Sequence, residues 1–185
     1  TRQTLAQWPN DKAYETRCTV VNDKVNIYIP EEKSQLWDTV ENFEYYGAPI
    51  YDWDMRRIYK NYLSIDKEKS TLCFDTSLIS YAGSSSSTLF VYNLIEELDV
   101  PGEYYCDYNA KKLYYYPEGD LTDKKIVFSQ YFEPYIILEG AKYISYEGFT
   151  FENARAYVIT GYNEENDHIS VENCIFRCLG VNAID

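Results

Sequence analysis

Asp52 and Asp54 flank Trp53. On an extended strand, residues two apart share a face at about 6.6 Å, so both carboxylates would project together and the indole to the other side. Glycoside hydrolysis uses carboxyl pairs about 5–5.5 Å apart for retention or roughly 6.5–9.5 Å for inversion, so the spacing suits sugar chemistry. Arg56 and Arg57 follow closely, and Lys60 and Asp66 continue the same polar parity, which a solvated, charge-compensated strand face also explains. Trp37, Tyr45, Tyr46, Tyr51 and Trp53 are large rings that could stack on a sugar or fill a core. The candidate substrate-contacting residues are therefore Trp53, Asp52, Asp54, Tyr46 and Trp37. No residue earns a catalytic role.

Other chemistries fare worse. Glu164-Glu165-Asn166-Asp167 clusters oxygens that calcium could use, but it lacks an EF-hand pattern and reads as a solvated acidic corner. The five cysteines, Cys18, Cys73, Cys106, Cys174 and Cys178, form no C-x-x-C, and the one histidine is His168. They read as buried thiols, not as a metal site or a disulfide framework. No Ser-His-Asp arrangement surrounds His168, and the 8 glycines form no phosphate-cradling loop. Neither a metal nor a cofactor is expected.

The 185 residues include 17 Lys plus Arg against 30 Asp plus Glu, a formal net charge of -13. Such a field repels phosphate, which argues against nucleic-acid and anionic-membrane partners. No apolar run approaches the ~20 residues of a membrane helix, and no signal-peptide pattern is present. Hydrophobic residues make up 45 %, enough for a folded core. Aromatics reach 17 %, with 21 tyrosines against one methionine, which favours β-structure and wet binding faces.

Several elements follow from the pattern. Residues 18–29 alternate as a strand, or as a hairpin broken at Asn22-Asp23 and closed by Pro30. Residues 31–50 are acidic and irregular. Alternation returns from Tyr51, where Trp53, Met55, Tyr59, Leu63 and Ile65 share one parity. After a Ser-rich loop at 83–88, apolar residues at Val91, Leu94, Ile95 and Leu98 predict a helix over 89–98, capped by Ser87 or Thr88. A hairpin is expected between 103–107 and 113–117 with its turn set by Asp107 and Asn109, then a strand at 126–129.

The last fifty residues repeat. Tyr143–Phe151 aligns with His168–Phe176 at an offset of 25, and Val158-Ile159 falls on Ala183-Ile184. Short β-runs joined by polar corners at a period near 20–25 residues resemble coils of a parallel β-helix, with Asn153 and Gly161 suited to sharp turns. At least three coils are needed to bury a continuous interior, so the chain is expected to be a piece of a larger protein.

The run Phe90-Val91-Tyr92-Asn93-Leu94-Ile95-Glu96-Glu97-Leu98-Asp99-Val100-Pro101-Gly102-Glu103-Tyr104-Tyr105, with its sequel from Asp107 through Leu113-Tyr114-Tyr115-Tyr116-Pro117, carries a family resemblance. It resembles bacterial right-handed parallel β-helix proteins of the glycoside hydrolase family 141 type, which include fucosidases and xylanases. Leu5-Ala6-Gln7-Trp8-Pro9-Asn10 is similar to the segment where those proteins leave the β-helix for an inserted domain, and Tyr143–Ile159 to the coil that resumes. The resemblance implies a mostly-β fold: an inserted β-rich domain with one short helix over 1–130, then the first coils of the β-helix over 131–185. It also implies polysaccharide degradation by an extracellular or cell-envelope parent, with catalytic acids on coils beyond residue 185. The chain alone would be inactive and would shape the substrate groove. Its partners would be a polysaccharide or oligosaccharide and the remaining coils. The alternative is a non-catalytic glycan-binding or surface-attachment module.

Overall fold

The computed structural model describes residues 3–37, 43–49, 55–79, 85–161 and 165–185. It is mostly β, and the chain divides into two compact units, Gln3–Leu121 and Thr122–Asp185. The stretch 122–130, expected to close the first domain, belongs with the second unit.

The first unit holds β1 (Thr4–Leu5), β2 (Gln7–Trp8), β3 (Tyr14–Val21), β4 (Lys24–Tyr28), α1 (Glu31–Leu36), β5 (Glu44–Ala48), β6 (Arg56–Tyr59), β7 (Ser64–Asp66), β8 (Thr71–Asp75), β9 (Ser85–Tyr92), β10 (Glu103–Asp107) and β11 (Lys112–Tyr115). Most form an antiparallel sheet in the order β6-β5-β9-β3-β4-β8-β7, with β2 also paired to β9. Of the two readings of residues 18–29, the hairpin is the one that forms, as β3–β4, and Asn22 and Asp23 both take the positive φ that a tight two-residue turn requires. The β10–β11 hairpin also forms, and Asp107 Oδ1 accepts from the Ala110 amide across its turn at 2.8 Å.

Alternation decides what each strand hides. Val25 and Ile27 of β4, Leu72 and Phe74 of β8, Tyr45 of β5, and Leu89 and Val91 of β9 point into one core with Trp37, Phe43 and Leu94. That arrangement overturns the helix expected over 89–98. Its first half is β9, because Leu89 and Val91 face the core while Phe90 and Tyr92 face out; only Ile95–Glu97 turns, as a 3-10 segment. The apolar spacing of three and four came from a strand running into a turn. The helix lies instead in the acidic 31–50 region, where Glu31 and Glu32 occupy the first turn of α1 and suit its dipole. Parity in β6 is also the reverse of the expected one: Ile58 is buried and Tyr59 exposed, and a 3-10 turn at Lys60–Tyr62 restores burial at Leu63.

The second unit holds β12 (Ile136–Leu138), β13 (Lys142–Glu147), β14 (Thr150–Glu152), β15 (Ile159–Gly161), β16 (Asp167–Glu172) and β17 (Ile175–Arg177). Ile126, Val127 and Phe128 are exposed, and residues 126–129 make no strand; no β-pairing within the described residues supports one. The repeat is realised as parallel pairing: Ile144 lies opposite Ile169, Phe151 opposite Phe176 and Ile159 opposite Ile184. Corners repeat with the strands. Left-handed φ values occur at Tyr143 and His168, at Gly148 and Asn173, and at Asn153 and Cys178, each pair in the same 25-residue register.

Like residues stack between the coils. Phe151 and Phe176 lie 5.2 Å apart, Tyr143 and His168 4.5 Å apart, and the Ser170 hydroxyl reaches that of Ser145 at 2.9 Å. Asn166 staples the pair, accepting from the Ala141 amide at 2.9 Å and donating to the Leu138 carbonyl at 3.3 Å. Glu165, Asn166 and Asp167 form no metal-holding group among the described residues; Glu164 lies outside them.

Candidate functional site

Cross-strand partners share a face of a sheet. The registers of β6, β5 and β9 therefore put Arg57, Tyr59, Glu44, Tyr46, Phe90 and Tyr92 together on the face opposite the core. Tyr46 lies across from Arg57 and Phe90, while Glu44 lies across from Tyr59 and Tyr92. The rings make an open strip. Tyr46 and Tyr92 centroids are 6.4 Å apart, Phe90 stacks on Tyr92 at 6.0 Å, and Tyr46 and Tyr59 are 37 % and 52 % exposed.

Charge sits in the middle of this strip. Glu44 is buried, yet its Oε2 accepts from Arg57 Nε at 2.7 Å, so its charge has a partner. Burial works against the Arg57 cation, but the charge and hydrogen bond of Glu44 outweigh it and hold the guanidinium pKa above its ordinary value. Arg57 also lies 5.6 Å from the Tyr59 ring centroid. The result is a row of aromatic rings with a fixed donor–acceptor pair among them.

A second concavity of about 410 Å³ is lined by Trp8 through Glu15. Trp8 pairs with Val91 and Tyr14 with Leu89, so these rings belong to the core-facing side of the sheet, away from the Tyr46 strip. Both are half-buried. Their centroids are 4.9 Å apart, and Trp37 packs edge-on against Trp8 at 5.6 Å. Behind them Glu97, 1 % exposed, accepts from Trp37 Nε1 at 2.6 Å and from Lys33 Nζ at 2.7 Å. Lys33 Nζ also lies 5.6 Å from the centre of the Trp8 ring.

These placements sort the expected contact residues. Tyr46 lies on the open strip. Trp37 is fully buried, so its part is to brace Trp8 and anchor Glu97, and core packing claims Tyr45 as well. Asp52, Trp53, Asp54 and Tyr51 lie outside the described residues. Sequence reasoning missed Glu44, Arg57, Tyr59, Phe90 and Tyr92, which distant stretches of chain contribute. The exposed parity of β9 was the one signal that could have found Phe90 and Tyr92.

The remaining polar residues serve the fold. Glu103, almost fully buried, accepts from the amides of Gln7, Asp99 and Val100 at 3.2, 3.2 and 3.1 Å. Burial pushes its pKa up, and those hydrogen bonds only partly oppose it. Cys18 and Cys106 are buried as expected, Cys73 and Cys174 are half-buried and Cys178 is exposed, and no disulfide joins them. No helix among the described residues is long and apolar enough to cross a membrane. No protein-family model, curated protein or solved structure matches the chain.

Proposed function

We propose that this chain is the non-catalytic, substrate-contacting part of a carbohydrate-active β-helix protein of the glycoside hydrolase type. The single observation that carries the reading is the Tyr46–Tyr59–Phe90–Tyr92 strip with its embedded Arg57–Glu44 pair. Rings about one strand spacing apart give successive apolar platforms for a neutral polysaccharide, and the ion pair supplies hydroxyl partners between them. The stacked coils of Thr122–Asp185 support the β-helical part of the reading, and further coils of the parent protein would supply the acids that cleave the glycan. The parent is then an extracellular or cell-envelope protein. A glycan-binding module is the second reading, favoured by the fact that one sheet face builds the strip by itself.

Calorimetric titration with xylan and with fucosylated oligosaccharides tests the proposal. Saturable binding that Tyr46→Ala and Tyr59→Ala each weaken by about tenfold, or ~1.4 kcal/mol, is expected, with the circular-dichroism spectrum unchanged. Absence of binding to every glycan tried, or binding indifferent to both substitutions, would overturn it. Hydrolysis that requires additional coils separates the enzyme part from the binding module.

A further inference from the structure

We infer that the edge of β16 and β17 turned away from β13 and β14 is a docking site for one further β-coil, an extended segment repeating the residue types already stacked on those strands. The inference rests on the coil half of the reading above and not on its aromatic strip. Among the described residues β16 and β17 each pair with one strand, β13 and β14. In a parallel ladder a strand's backbone groups alternate between its two sides, so every second amide and carbonyl of β16 and β17 faces away from the first coil. β15 differs. Ile184 bridges Ile159 in parallel, the Asp185 amide donates to the Ile159 carbonyl at 3.1 Å, and the Val158 amide to the Ala183 carbonyl at 2.9 Å. A third layer is therefore already laid over β15, in the same 25-residue step, and not over β16 or β17.

What an added layer does is visible at β15. Ile159, paired with Ile184, is 2 % exposed, whereas Ile184 itself is 49 % exposed. Likewise Ala154 is buried, while its counterpart Leu179 is only half-buried, as are Ile169, Val171 and Phe176, which pack against the same apolar cluster. A segment over β16 and β17 would close this surface as Ile184 closes Ile159, and the burial drives its docking. The ladder names the occupant's residues. Phe151 stacks on Phe176 at 5.2 Å, the Ser170 hydroxyl reaches that of Ser145 at 2.9 Å, and Arg177 Nε donates to Glu152 Oε2 at 2.7 Å. The occupant therefore offers a ring over Phe176, a small hydroxyl over Ser170, β-branched or aromatic residues over Ile169 and Val171, and a carboxylate over Arg177. Lys142–Glu152 carries that pattern and already fits the opposite edge of the same two strands.

The test titrates the full chain, labelled with nitrogen-15, with a synthetic peptide copying Lys142–Glu152 and with a scrambled peptide of the same composition. The expected result is saturable amide shifts and slowed hydrogen exchange within β16 and β17, several-fold weaker when the peptide carries Phe151→Asp or Glu152→Lys. Both substitutions sit in the peptide, so the fold of the chain is untouched. No binding, equal binding by the scrambled peptide, or protection confined to another edge such as β11 would overturn the inference. So would dimers of the chain that are held by β16 and β17 and that the peptide does not dissolve. Tyr46→Ala in the chain should leave peptide binding unchanged, so failure of glycan binding at the strip and failure at the coil edge are read apart.

Discussion

The antiparallel sheet of the first unit and the coils of the second bury their apolar residues by different rules. In the sheet, strands far apart in sequence meet, and parity sends large side chains such as Trp37, Phe43, Tyr45 and Phe74 into one thick core. In the coils, β13 and β14 lie over their own counterparts in the repeat, and among the described residues the buried apolar cluster is Leu138, Ala154, Val158 and Ile159. The sheet therefore concentrates its energy in a few close approaches, whereas the coils spread theirs over many small, equivalent contacts. The sheet also sets the aromatic strip on the face opposite that core.

Glycine substitutions sharpen this contrast most. A Cβ at Gly47 would sit 1.9 Å from the Thr88 carbonyl oxygen, a backbone atom of the paired strand that cannot swing away. Gly47→Ala should cost about 3 kcal/mol or more in urea unfolding. At Gly148 in the coils nothing lies within 4 Å of a new Cβ, and only the φ of +72° is costly, so Gly148→Ala should cost about 1 kcal/mol. Equal losses at the two sites would break the comparison.

Next comes the buried charge of the sheet unit. Glu97→Ala strands the Lys33 ammonium and the Trp37 N–H, and should destabilise the chain by about 2–3 kcal/mol in the same assay. Its counterpart in the coils is the exposed pair in which Arg177 Nε donates to Glu152 Oε2 at 2.7 Å. A double-mutant cycle there should return a coupling of about 0.2–1 kcal/mol, reduced further by salt.

The smallest effect is a slope with pH. Because burial raises the Glu103 pKa above its ordinary 4.5, the folded chain holds that proton more tightly than the unfolded one. Stability contributed by this group falls as pH rises from 4.5 through the folded value, then stays constant. Glu103→Gln removes this component, so the difference between variant and parent stability in chemical denaturation should change across that window and nowhere above it.

The same contrast explains what was legible in the sequence. A repeat writes its contacts at a fixed interval, so the pairing of Ile144 with Ile169 and of Ile159 with Ile184 follows from aligning the chain with itself. Local turns were legible for a similar reason, since Asn22-Asp23 and Asp107 act on their immediate neighbours. The sheet order β6-β5-β9 was not, because nothing local says that residues near 45, 58 and 91 will meet. Hence Tyr46 was recognised alone, without Arg57, Tyr59, Phe90 and Tyr92. Trp37 looked like a platform because a tryptophan in an acidic stretch reveals nothing of the Glu97 carboxylate that receives it from 60 positions away. The Trp8–Tyr14 ring pair was not legible for the same reason: Trp37, Lys33 and Glu97 brace it from distant positions.

Tyrosine-selective carbon-13 NMR of the full chain, titrated with xylo-oligosaccharides and fucosylated oligosaccharides, addresses the central claim most directly. The account predicts that the ring signals of Tyr46, Tyr59 and Tyr92 move together with one shared Kd, while Tyr143 and Tyr157 in the coils stay in place. Signals of the strip that remain still with every oligosaccharide, or shifts confined to the coil tyrosines, would contradict it.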